Sequence, residues 1–256
     1  MAESAPVTQY RSQIVAAFEE GMSWLRQTTV TEAVIKGNQA TFLVAGSGGA
    51  TAVTRGINGL ITARADSLTQ TTATLTEWHD LVRKTRFNIF QSQGDQKRLM
   101  QETTRKVLNR RIDADIIAQL DTATSSLGAA VTFGLSVPAK AFTTLGENEV
   151  DTTDIENMWA VASPAVFGYI MQIPEATKID YVDKKMLTGK ILRLMRWAGF
   201  NWIMHPNLTG VGTASEKCYF YHRDAVGSAF DSGEGLNIGI GYDDEQDYSY
   251  ARASSF

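Results

Sequence analysis

The chain has 256 residues, 43% of them hydrophobic, a net charge of -4 and a pI near 5.5. That is enough apolar content for one large domain or two small ones, and it excludes a disordered chain. The acidic balance argues against a dedicated nucleic-acid binder, which gathers basic charge on one face. The single Cys218 excludes an internal disulfide, and the opening MAESAPVTQY has neither the basic nor the apolar region of a secretory signal, so a reducing compartment is expected. No apolar run approaches the roughly 18 residues that cross a bilayer.

After a loose end at residues 1–7, TQYRSQIVAAFEEGMSWLRQ places Ile14, Val15, Phe18, Met22 and Leu25 on one helical face, with Thr8 as a cap. A short amphipathic helix at a terminus docks on a neighbour rather than standing alone. From Thr28 to Ala45 the period changes to two, with Gly37-Asn38 turning between two extended pieces. Residues 45–70 hold Gly46, Gly48, Gly49, Gly56 and Gly59 and little that could anchor a core. This predicts a long, mobile excursion. Strand-like text returns in TTATLTEWHDLVRKTRFNIFQS, so two extended arms flank the tip.

The stretch Gly94–Thr124 predicts the longest helix, roughly 45 Å at about 1.5 Å per residue. Asp95 marks its start and the Thr/Ser run up to Ser126, with Gly128, its end. Leu99, Met100, Val107, Leu108, Ile112, Ile116, Ile117 and Leu120 form one apolar stripe, while Lys97, Arg98, Glu102, Arg110, Asp113 and Asp115 occupy the other faces. The spacing drifts nearer 3.6 than 3.5 residues, so the expectation is a spine packed on a sheet, not a coiled coil. Beyond it, SVPAKAFTTLGENEV predicts a helix ending near Gly146, NMWAVA a strand, and Ser163-Pro164 the cap and first turn of a helix that Pro174 stops. IDYVDKK reads as a loop. Two strands are expected around Gly199, another in EKCYFYH, a short helix in HRDAVGSAFD, and a half-buried strand in Leu236, Ile238, Ile240 and Tyr242. YSYARASSF reads as extended.

Little in the chain supports catalysis. AGSGGAT invites a phosphate-loop reading, but no G-x-x-x-x-G-K-[ST] follows, and no helical periodicity succeeds the glycines. His79, His205 and His222 have no metal-ligand spacing and read as structural or surface residues. Asp243, Asp244, Glu245 and Asp247 lack the glycine and terminal glutamate of a calcium loop and read as a solvated turn. The serines lie in no G-x-S-x-G elbow. The five tryptophans are scattered, as core or interface anchors. No enzyme, cofactor or metal site is expected.

The order of these parts carries more than any motif. An N-terminal arm, a long β excursion, a spine helix, and then a mixed domain containing NMWAVASPAVFGYIMQ, WAGFNWIMHPNL and CYFYHRDAVGSAF resemble the major capsid proteins of tailed bacteriophages with the HK97-type fold. The resemblance covers nearly the whole chain. It implies an α+β protein in five parts: an arm at 1–27, an extended β loop with flanking strands at 28–90, a peripheral domain with the spine at 91–136, an axial domain at 137–242, and a return to the peripheral domain at 243–256. It implies a self-assembling shell of pentamers and hexamers enclosing double-stranded DNA without sequence-specific contact. A portal, a separate scaffolding protein and a decoration protein are the other partners implied, with no membrane, assembly in the host cytoplasm and a final place in the virion.

Residues 46–70 would then reach a neighbouring subunit. Gly46, Gly48, Gly49, Arg55, Gly56, Arg64, Glu77, Arg83 and Trp24 are the candidate intersubunit contacts. Some relatives crosslink neighbours through a lysine in this loop, but none occurs here between Lys36 and Lys84, so no such bond is expected. The family pattern continues with a strand pair after YSYARASSF. Two other readings remain open: a compartment shell enclosing a cargo enzyme, as in encapsulins, and an α/β enzyme holding a phosphate at AGSGGAT.

Overall fold

A computed structural model of the chain describes residues 23–34, 37–47, 50–64, 67–91, 95–174, 194–231 and 237–255. The expected N-terminal helix therefore lies almost wholly outside the described residues, as do IDYVDKK and Leu236. Its last turn, Leu25–Thr28, is a 3-10 helix.

Helix α2, Gln96–Leu120, is the predicted spine, about 37 Å long at its 25 residues. Asp95 caps it as expected, its Oδ1 accepting from the Arg98 amide at 3.1 Å. The helix stops at Leu120, short of Thr124, because Asp121 is drawn into contacts outside it. The Asp121 carboxylate accepts from Lys217 Nζ at 2.6 Å, from Tyr219 Oη at 2.7 Å and from Thr209 Oγ1, tying the end of the spine to the 208–219 loop.

The spine lies on a sheet, as its spacing implied. Strands β4 (Trp78–Thr85), β10 (Asn237–Asp243) and β11 (Tyr248–Ser255) form an antiparallel sheet with β11 in the middle. Ala251 and Ala253 of β11 are fully buried, and their small side chains let the helix approach closely along its Met100, Thr104 and Leu108 face. Arg111 stacks 3.7 Å above the Trp78 ring, and Lys84 Nζ reaches Gln96 Oε1 at 2.6 Å, so both edges of the contact are fastened by cations.

The far half of the spine covers a second sheet. Strands β5 (Met158–Ala162), β6 (Leu194–Trp197), β7 (Phe200–Met204) and β8 (Tyr219–His222) run in the order β6-β7-β5-β8, with β5 parallel to β7 and antiparallel to β8. Alternation along β5 divides the core. Met158, Ala160 and Ala162 face helices α3 (Ser136–Glu147) and α4 (Pro164–Ile170) together with Phe200 and Trp202. Val161 faces the other way, onto Ile116, Ile117 and Leu120 of the spine. Ser163 caps α4 by accepting from the Val166 amide and donates its own proton to Glu216. The two strands expected around Gly199 are β6 and β7, joined through Ala198 and Gly199 at φ 51° and 81°.

Four expectations are corrected. RFNIFQ is helix α1, Arg86–Gln91, not a strand: the partner strand β11 begins opposite Thr85, and Thr85 Oγ1 accepts from the Asn88 amide, so the chain turns once pairing ends. HRDAVGSAFD is helical only at Arg223–Ala225. Residues Gly227–Asp231 are strand β9, paired in parallel with β1, Val30–Val34. Val107, placed on the apolar stripe, is 39% exposed.

Asp113, placed among the charged faces, is 2% exposed, for its position one turn before Ile117 lies on the buried stripe. Its carboxylate gathers four donors. Ser23 Oγ (2.6 Å) and the Leu25 amide (3.3 Å) reach Oδ1, and the Trp24 amide (3.4 Å) and His205 Nε2 (3.3 Å) reach Oδ2. His205 Nδ1 accepts from the Asn207 amide, which places the ring proton on Nε2, facing Asp113. His205 is thus the satisfied structural residue the sequence suggested.

Two outcomes follow for the isolated chain. Asp113→Ala leaves these buried donors without an acceptor and lowers unfolding stability by about 3–5 kcal/mol in urea titration, whereas the exposed Arg105→Ala stays within about 0.5 kcal/mol. At Asp121, burial pushes the carboxyl up, but the hydrogen bonds from Lys217, Thr209 and Tyr219 and the Lys217 charge together bring it down from 3.8 to about 2. Its contribution is therefore present above pH 3.8 and lost as pH falls toward 2. Asp121→Asn flattens that part of the stability profile in acid titrations followed by circular dichroism.

Candidate assembly surface

Strands β2, Gln39–Gly46, and β3, Ser67–Thr74, form a separate antiparallel ribbon registered from Gln39 opposite Thr74 to Gly46 opposite Ser67. At about 3.4 Å per residue it is roughly 27 Å long. The predicted arms are therefore present. Its base is seated by Phe42, whose ring lies against Gly227, where an added Cβ would come within 2.8 Å.

Away from the base, the ribbon carries apolar side chains on both faces. Leu43 and Leu68 share one face, at 65% and 58% exposure, and Val44 points from the other. Residues 50–64 contain no helix or strand and are exposed throughout. They carry Val53, Ile57, Leu60 and Ile61 in the open. Gly56 closes a small turn, donating to Leu60 O at 3.0 Å and accepting from the Gly59 amide at 2.8 Å, with Gly59 at φ +74°. Since no helix succeeds the glycines in 50–64, the anion cradle that a phosphate loop requires is not built there.

The candidate contact residues fall in four places. Gly46 ends β2, and Arg55, Gly56 and Arg64 are exposed near the tip. Gly48 and Gly49 lie outside the described residues. Glu77 sits just before β4, its carboxylate 2.9 Å from His79 Nε2. Arg83, within β4, stacks 4.8 Å above the Tyr248 ring, and Trp24 is half-buried beside Asp113. Of the described candidates, Gly46, Arg55, Gly56 and Arg64 belong to the exposed loop, and Glu77, Arg83 and Trp24 lie elsewhere.

Sequence reasoning missed the apolar side chains of the ribbon, and also Phe87 and Phe90 of α1, which are 64% and 86% exposed. The available signal was isolated apolar residues in text without a core-forming period. Phe87 and Phe90 were hidden because RFNIFQ reads as a strand.

The acidic turn between β10 and β11 serves itself. Asp243 Oδ1 accepts from the Glu245 and Gln246 amides at 3.0 and 3.1 Å, and Asp247 accepts from the Tyr242 hydroxyl. The amide of Gln246, with the Tyr248 hydroxyl and the Glu245 amide, holds the Asp243 carboxyl below its usual range. Among the described residues no three His, Cys, Asp or Glu side chains are grouped to hold a metal, and no helix is long and apolar enough to cross a membrane.

A folded body whose buried Asp113 is fully matched, yet which extends a ribbon apolar on both faces, has the pattern of a chain with a surface left to be covered. The phage capsid protein family matches residues 2–253, and the chain belongs to that family. No curated protein sequence matches it. Among solved structures, the capsid of cyanophage P-SCSP1u is similar with a TM-score of 0.70 at 13% identity, covering 97% of this chain and 87% of that one. Mycobacterium phage Che8 gives 0.69 at 14% identity, covering 99% and 93%. The capsid of Ralstonia phage GP4 gives 0.66 at 10% identity, covering 100% and 91%. The chain is a major capsid shell protein with the α+β, HK97-type fold, and its place is the capsid of a virion.

Because Ile57 and Leu60 are exposed in a stretch with no helix or strand, Ile57→Ser and Leu60→Ser together change the unfolding stability of the unassembled subunit by less than about 0.5 kcal/mol in urea titration.

Proposed function

We propose that subunits close into pentamers and hexamers that tile an icosahedral head around double-stranded DNA, and that residues 46–70 of each copy extend over a neighbour. The observation that carries this reading is the ribbon with apolar side chains on both faces, Leu43 and Leu68 against Val44. A two-stranded ribbon is marginal in water by itself, and a neighbour that buries it supplies the missing hydrophobic stabilisation. Rings need contacts that differ on the two sides of each subunit, and an arm passed in one direction meets that need.

In this reading residues 91–136 are the peripheral domain, 137–242 the axial domain near the capsomer centre, and 243–256 the return to the peripheral domain. DNA is enclosed without sequence readout, in keeping with the net charge of -4. Assembly takes place in the host cytoplasm with a portal and a separate scaffolding protein, and a decoration protein is a further candidate partner. Neighbours are not covalently joined through this loop, since residues 37–83 include no lysine.

Trypsin tests the loop contact. In unassembled subunits it cuts first after Arg55 and Arg64, and in closed particles, identified by negative-stain electron microscopy, those cuts are slower by about tenfold or more. Equal cleavage in both states would overturn the reading. Particles filled with a cargo protein in place of DNA would turn it toward a compartment shell.

A further inference from the structure

The small turn in residues 50–64 holds the elements of a covalent modification that needs no enzyme. Of the nine asparagines in the chain, Asn58 alone is followed by glycine. The pair suits the turn. Gly59 takes φ +74°, which glycine adopts without strain, and its amide donates to Gly56 O at 2.8 Å while the Gly56 amide donates to Leu60 O at 3.0 Å. The same pair sets a side-chain carboxamide next to a main-chain nitrogen whose own residue has no Cβ to obstruct a reaction between them.

Nothing around the turn restrains that reaction. Residues 51–60 are exposed without exception, and a Cβ built on Gly59 would meet nothing within 4 Å. The Asn58 carboxamide makes no hydrogen bond among the described residues. Other exposed asparagines differ. Asn148 donates to Thr144 O at 2.8 Å and precedes Glu149, and Asn207 precedes the buried Leu208. The Gly59 amide has to leave Gly56 O before it can attack, but a single hydrogen bond in an exposed turn opens at little cost.

We infer that Asn58 is a site of spontaneous deamidation, yielding aspartate and isoaspartate in the loop. The Gly59 nitrogen gives up its proton to solvent and bonds to Asn58 Cγ, and the carboxamide nitrogen takes up a proton and leaves as ammonia. Water then opens the resulting succinimide. Cleavage of its bond to Cγ gives aspartate, and cleavage of its bond to the main-chain carbonyl carbon gives isoaspartate. The balance is one water consumed and one ammonia released, with no change of oxidation state. Either product puts a carboxylate between Arg55 and Arg64, and isoaspartate also lengthens the main chain by one carbon inside the turn. On the reading that a neighbour covers residues 46–70, a particle holds the turn closed and slows the reaction, so the loop marks how long a subunit has stayed unassembled.

Peptide mapping tests the site. Trypsin cutting after Arg55 and Arg64 releases residues 56–64, whose single asparagine is Asn58. When free subunits are kept in warm, mildly alkaline buffer, mass spectrometry finds this peptide converting to the aspartate mass, as two chromatographically separate isomers. It does so about tenfold or more faster than the peptides holding Asn148 and Asn207, and Gly59→Ala slows it by about tenfold. Conversion at Asn58 no faster than at those two asparagines, or unchanged by Gly59→Ala, overturns the site. Particles incubated alongside distinguish this from the parent reading. Slower conversion in particles agrees with a covered loop, whereas equal conversion in particles and free subunits overturns the coverage and leaves the site standing.

Discussion

The architecture depends on one buried carboxylate. Asp113 sits where the spine passes from the three-stranded sheet to the four-stranded one, and its oxygens receive donors from the chain near residue 24 and from His205, beyond the end of β7. A charge at 2% exposure is costly unless its lone pairs are filled, and here they are filled by groups from distant parts of the sequence. The interaction sets which face of the spine meets which element. It also fixes where the chain at residues 25–29 must lie, with Thr28 bonded to Tyr221 and Thr29 to Ser228. From there the chain enters β1, which pairs with β9, on whose first residue, Gly227, the ribbon is seated through Phe42. A polar contact in the core thus positions the base of the arm that leaves the body.

Body and arm follow opposite rules. In the body, the polar groups at element ends are matched, as Ser163 is with Glu216 and Asp121 with Lys217, Thr209 and Tyr219. The apolar groups of its core are enclosed, with Trp202 packed edge-on to Phe133 and Phe220. In the arm, the backbone pairs along eight positions of each strand while Leu43, Val44 and Leu68 stay uncovered. The ribbon's shape is therefore set within the subunit, whereas Leu43, Val44 and Leu68 gain no burial there. Such a division keeps the free subunit folded without making its arm self-sufficient.

The parts legible in the sequence are those whose signals are local. Asp95 and Ser163-Pro164 announce helix starts by capping chemistry, Gly199 marks a turn between strands, and the spine declares its period over many residues. What escaped depends on partners far along the chain. RFNIFQ has strand composition, but pairing ends at Thr85 because β11 begins only opposite it. AVGSAF looks helical until β1, nearly two hundred residues earlier in the chain, offers it a parallel partner. Asp113 reads as a surface charge because its type outweighs its position, and only the donors from Ser23 and His205 make that position tenable. At the assembly surface, glycine content revealed the loop. It could not reveal that Leu43, Val44 and Leu68 remain uncovered, which is a fact about the whole fold.

That last point bears on how a shell can form without premature aggregation. Apolar groups exposed on both faces of a ribbon are a hazard in a free subunit, because they can pair with any similar surface. Here the loop is glycine-rich, and Arg55 and Arg64, against the single Asp66, give residues 46–70 a net positive charge. Two such loops on free copies therefore repel each other weakly. Charge thus provides the discrimination that hydrophobic contact lacks, weak in energy at each exposed group yet directional in its effect.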